Sequence, residues 1–172
     1  MTENTNDLPE VWLRGELPEI PALLQPAAHA LKQAVEDIYK YTADFPAQLL
    51  WEKPAERASV GFHLQHLTGV LDRMLTYAES KNLSEDQFDY LRKEGRNADV
   101  SVEELVHAFA EKVNQALEKF KTIPETILTE KRTVGRKKLP STVIGLLFHA
   151  AEHSQRHIGQ MLVTISVLKS PI

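Results

Sequence analysis

The stretch FHAAEHSQRHIGQM, Phe148 to Met161, places His149, His153 and His157 four residues apart. A step of four along an α-helix turns a side chain by only about 40°, so the three imidazoles form one stripe on one helix. The surrounding residues are those of a long amphipathic helix. Val143, Ile144, Leu147, Ala151, Ile158, Met161 and Ile165 recur at three- and four-residue steps as its main apolar arc. The histidine stripe runs along the border of that arc, with Leu146 between its members and Gln160 and Thr164 extending it. This is a polar seam at the edge of a core.

Working backwards along the chain, three more segments carry the same period. One runs from Pro21 to Thr42 through Ala28, Leu31, Val35, Ile38 and Tyr39, with its regular part beginning near Pro26. A second covers Ala58 to Ser80 through Val60, Leu64, Leu67, Leu71, Met74 and Ala78. A third starts at Ser101, whose S-x-x-E spacing to Glu104 predicts a capping box, and runs through Leu105, Phe109, Val113, Leu117 and Phe120 to Pro124. The fourth, containing the histidine stripe, is expected from Pro140, a residue suited to a first helical turn, to about Val167.

Ser84 and Gln87 mark a short extra helix in the link between the second and third segments. That link, Ser80 to Glu103, is the longest and permits a crossover in place of a simple up-and-down path. Thr126 to Val134 is the only stretch with strand character, and Gly135 can turn it. The pattern predicts an all-α four-helix bundle: an N-terminal arm over 1–20 and a single helical domain over 21–172. Trp12 and Leu13 are expected to give the arm something apolar to bury, and Trp51 to cover a core edge.

Composition narrows the chemistry. The 172 residues hold no cysteine, which excludes disulfides, zinc–thiolate sites, iron–sulfur clusters and a cysteine nucleophile. Twenty basic and 24 acidic side chains leave a net charge of −4, against a nucleic-acid binder that relies on overall positive charge. The basic run Lys131, Arg132, Arg136, Lys137 and Lys138 reads as a solvated connector. The polar, acidic start has no secretory character and no apolar run spans a bilayer, so cytoplasmic residence and no membrane partner are the expectation.

Five of the seven histidines fall in two segments, because GFHLQHL supplies His63 and His66. Neutral imidazole is the commonest protein ligand for divalent transition metals, and two helices can clasp one ion between them. Clustered imidazoles in a partly dry site need partners or they repel when protonated, and a metal satisfies them together. Helix geometry leaves His63 and His66 equally placed for this. His29 and His107 are isolated and read as structural or exposed. Glu152 lies off the stripe and reads as surface charge; it precedes the pair, so the H-E-x-x-H protease motif is absent.

Three features together resemble the DinB-like (DinB/YfiT-like) superfamily. They are SVGFHLQHL at the start of the second helix, H-x-x-x-H-x-G-Q at His153 to Gln160, and four helices across most of the chain. Ile158 stands where that family's motif has arginine. The resemblance implies a divalent metal, zinc or nickel, held by His66, His153 and His157. It leaves His63 and His149, with Gln160, as alternative ligands or residues that orient the bound species. It also implies a homodimer and a small-molecule substrate. Relatives include transferases and an isomerase that use a low-molecular-weight thiol as cosubstrate. Three histidines leave a coordination position open, so water or thiol activation is the expected chemistry, as a hydrolase or a thiol-dependent transferase. A non-catalytic metal-binding module and a purely structural helical dimer are the alternatives.

Overall fold

In the computed structural model, which describes residues 8–170, the apolar stripes become helices α1 Gln25–Thr42, α2 Val60–Ala78, α4 Val102–Lys121 and α5 Val143–Lys169, with a short α3 Glu85–Lys93 between α2 and α4. The starts follow local chemistry. Ser59, Ser84, Ser101 and Thr142 each accept a hydrogen bond from the backbone N–H three residues on. Ser84 with Gln87 and Ser101 with Glu104 close full capping boxes. Pro26 sits in the first turn of α1, where its missing N–H costs nothing.

Each of α1 and α2 lies beside both α4 and α5, leaving α1 opposite α2 and α4 opposite α5 on the diagonals. The diagonal crossings are therefore made by the links 43–59 and 122–142. The Ser80–Glu103 link, expected to permit a crossover, instead joins two neighbours, and α3 folds back on α2 within it. The core is filled by Leu24, Leu31, Ile38, Leu64, Leu67, Leu71, Phe109, Phe120, Leu147 and Met161, all buried. Each such side chain contributes about 1.5–3 kcal/mol by leaving water.

Two expectations are corrected. Pro140 does not open the last helix. It sits in β2 Leu139–Thr142, which pairs antiparallel with β1 Lys131–Val134, Thr133 opposite Pro140. Proline is tolerated in this two-stranded edge pair, and Thr142 takes the helix start because its side chain can cap. In the arm, Val11 (2 % exposed) and Ile20 are buried while Trp12 (60 %) and Leu13 point outward. The short turn at Val11–Leu13 is tied to α1 by Val11 N–H donating to Gln33 Oε1 (2.9 Å) and by Arg14 pairing with Glu36 (2.7 Å), which fixes which of its faces looks inward. Trp51 packs against the core over Gly61, where a Cβ would meet its ring at 2.5 Å.

Candidate metal centre

The hairpin sets the register of the two histidine-bearing helices. Arg132 Nε donates to the carbonyl of Ala78 at the end of α2 (2.7 Å), and β2 runs straight into α5, so α2 and α5 are antiparallel from a common junction. His66 is 12 residues back along α2 from Ala78 and His153 is 10 residues into α5 from Val143. At 1.5 Å per residue both lie about 15–18 Å from the junction, at one level.

The structure accordingly brings His66, His153 and His157 together: one ring nitrogen of each lies within 4.8 Å of the others. His66 Nε2 is 2.9 Å from His153 Nε2, and the ring centroids of His66 and His157 are 4.5 Å apart. His63 is buried (2 % exposed) behind this trio with its Nδ1 3.0 Å from His157 Nδ1. His149 lies at the outer end of the stripe, its ring centroid 5.0 Å from that of His153. Gln160 is exposed, and no side-chain hydrogen bond links it to the trio. His29 meets the carbonyl of Gly15 (2.9 Å) and His107 is exposed, both away from the cluster.

Glu94, just past the end of α3, escaped the sequence reading. Its side chain is 5 % exposed and accepts from His66 Nδ1 (2.7 Å) and from Arg73 Nη1 (2.6 Å). Room for it comes from Gly69, where a Cβ would meet Glu94 Oε1 at 2.2 Å. Tyr90 donates to the carbonyl of Gln65 (3.1 Å) and Gly95 N–H donates to Gln65 Oε1 (2.7 Å), so the end of α3 is pinned to α2 on both sides of Glu94. Phe62 stacks on His66, 5.1 Å between centroids and 12° between planes. The available signals were a glycine inside α2 and an arginine, Arg73, on that helix's buried face. Neither says where its partner comes from.

Glu152 is more than surface charge. Its Oε1 accepts from His149 Nδ1 (2.8 Å) and from Arg156 (3.0 Å), and His149, Glu152 and His153 make a second trio of ligand atoms within 4.8 Å.

Donor and acceptor chemistry orders the protons. A carboxylate only accepts, so His66 carries its proton on Nδ1 and turns an Nε2 lone pair toward His153. A guanidinium only donates, so Arg156 Nη2 gives a hydrogen bond to His153 Nδ1 (2.8 Å), and the His153 proton is on Nε2, donated to His66. The chain therefore runs in one direction, Arg156 to His153 to His66 to Glu94. Burial, then the neighbouring rings, hold His63 and His157 down at about 4 and His153 at about 3. These three rings are neutral at pH 7, the form that ligates metal.

This donor set fits a divalent ion of borderline softness. His66 already offers an unprotonated Nε2 with a carboxylate behind its other nitrogen, the support that metal-bound histidines commonly have. A metal on His153 Nε2 would move that ring's proton to Nδ1, which then no longer accepts from Arg156.

With geometry and chemistry in hand, comparison with known proteins gives the class. The profile of the DinB superfamily matches residues 25–161, most of the chain, and the protein belongs to that superfamily. No curated protein matches the sequence. Among the described residues no helix is long and apolar enough to cross a membrane.

Proposed function

We propose that the protein is a metal-dependent enzyme of the DinB superfamily, with His66, His153 and His157 holding one zinc or nickel ion. The observation that carries this is the convergence of three ring nitrogens from two helices within 4.8 Å, backed by the buried Glu94 on His66. What such an ion supplies when bound is Lewis acidity, which brings a water or a small thiol toward ionisation at neutral pH. The reaction class we assign is hydrolysis or thiol-dependent group transfer, with any thiol arriving as cosubstrate because the chain has no cysteine. A cytoplasmic homodimer belongs to the same reading.

The residues around the site have separable duties. Glu94 and Arg73 fix the tautomer and orientation of His66, and Phe62 holds its ring plane. His63 supports His157 from the buried side. His149 and Glu152 form the outer rim, and Glu152 holds Arg156.

One observation favours a second reading, a structural bundle whose histidines are satisfied by one another and by Glu94, Glu152 and Arg156. Among the described residues no buried side-chain nitrogen or oxygen is without a hydrogen-bond partner. Metal analysis of untagged protein purified without chelator separates the two. The metal reading expects close to one zinc or nickel per chain and a melting temperature raised by added ion. Protein with no stoichiometric ion and no response to either metal would leave the structural reading standing.

A further inference from the structure

A groove of 740 Å³ runs along α5 beside the histidine cluster, bounded by Arg57, Ala58, His63, Arg156, Gln160 and Val163 among others. That volume suits a small organic molecule. Gly159 keeps its wall clear, since nothing lies within 4 Å of where a Cβ would stand. No carboxylate lines it. Of its two guanidinium groups, Arg156 is paired with Glu152, whereas Arg57 makes no ion pair among the described residues. Arg57 is exposed, yet its backbone is held. The turn before it, Pro54–Glu56, packs on α5, and Ala55 and Glu56 are both left-handed (φ 49° and 58°). Non-glycine residues keep such a conformation only where their surroundings impose it.

We propose that this groove binds a small organic monocarboxylate, its carboxylate on Arg57 and Arg156 and its hydrocarbon part on Ala58 and Val163. The planar guanidinium fork matches a carboxylate. The charge count selects a monoanion: Arg57 is the one uncompensated cation, and a phosphate dianion would leave a charge unmatched. His63, which meets His157, lies in the same wall, so the ligand reaches the edge of the cluster. The inference rests on the metal reading for what becomes of the ligand, and not for its binding through Arg57.

The test is calorimetric titration of the full chain, zinc-loaded and separately chelator-treated, with 3-phenylpropionate, 3-phenylpropanol and inorganic phosphate. The acid is expected to bind about tenfold or more tighter than the alcohol, and tighter than phosphate. Arg57→Gln should lose about tenfold for the acid alone, with Arg57→Lys in between and zinc affinity unchanged in both variants. Equal binding of acid and alcohol, tighter phosphate, or acid binding indifferent to both Arg57 substitutions (a carboxylate sitting on zinc alone) would each overturn the proposal. Failure to load zinc would sink the metal reading, while the chelator-treated arm would still report on the groove.

Discussion

Two trios of ligand atoms share His153, and they differ in what holds them. His66, His153 and His157 join two helices at one level, and His66 is clamped by Glu94, Arg73 and Phe62. His149, Glu152 and His153 lie within one turn of a single helix, and their carboxylate is already committed to Arg156 and to His149. Equal spacing of ligand atoms thus conceals unequal preorganisation. Closeness on one helical turn comes free with the helix period, whereas closeness across two helices requires the core, the hairpin and α3 all to be in place. The inner trio is the better preorganised of the two.

The largest effect comes from the shared residue, whose loss removes both trios and so tests whether there is a metal site to rank. His153→Ala should cost more than about a hundredfold in zinc affinity, beyond the effect of losing a supporting group, with the helical circular dichroism spectrum retained. Simple destabilisation with no metal bound to either protein would break the contrast altogether. Next is Glu94→Gln, expected to lower zinc affinity by about 10–100-fold at unchanged helix content, because the amide holds His66 more weakly than a carboxylate.

Gly69→Ala sharpens the same point. Alanine favours the helix by about 1 kcal/mol, but its Cβ meets Glu94 Oε1, so Glu94 must retreat from His66. Thermal stability should change little while zinc affinity falls toward that of Glu94→Gln. A variant that keeps full affinity would show that Glu94 is not needed.

A fourth outcome concerns pH. His63, His153 and His157 are held at about 4, 3 and 4, below their ordinary value of 6.5. The unfolded chain therefore binds more protons between those limits, and stability falls as pH falls. Chelator-treated protein should lose melting temperature steadily from about pH 6.5 to about pH 4, and His63→Phe should flatten part of that slope. The smallest effect is expected from the outer trio: His149→Ala should leave zinc affinity within about threefold, less than a supporting residue of the inner site costs. A loss comparable to that of His153→Ala would reverse the ranking of the two trios.

The part of this legible in the sequence is what depends on local period and local chemistry. The four apolar stripes, the serine caps, the short extra helix at Ser84 and the single face shared by His149, His153 and His157 follow from 3.6 residues per turn and from side chains that satisfy free backbone N–H groups. Where local signals compete, the reading slipped. Pro140 is as acceptable in an edge strand as in a first helical turn, and Trp12 and Val11 are adjacent apolar residues between which only the neighbouring α1 chooses.

What the tertiary structure alone decided is everything that joins distant parts of the chain. Spacing could not choose between His63 and His66; the antiparallel pairing of α2 and α5 turned His66 toward His153 and put His63 against His157. It also delivered Glu94 across 28 residues into the gap at Gly69 and drew Glu152 into the outer rim. The sequence determined which groups can bind a metal, because that is a property of side chains and helical period. Which of them share a point in space follows from how the helices cross, and crossing is set by the packing of the whole core.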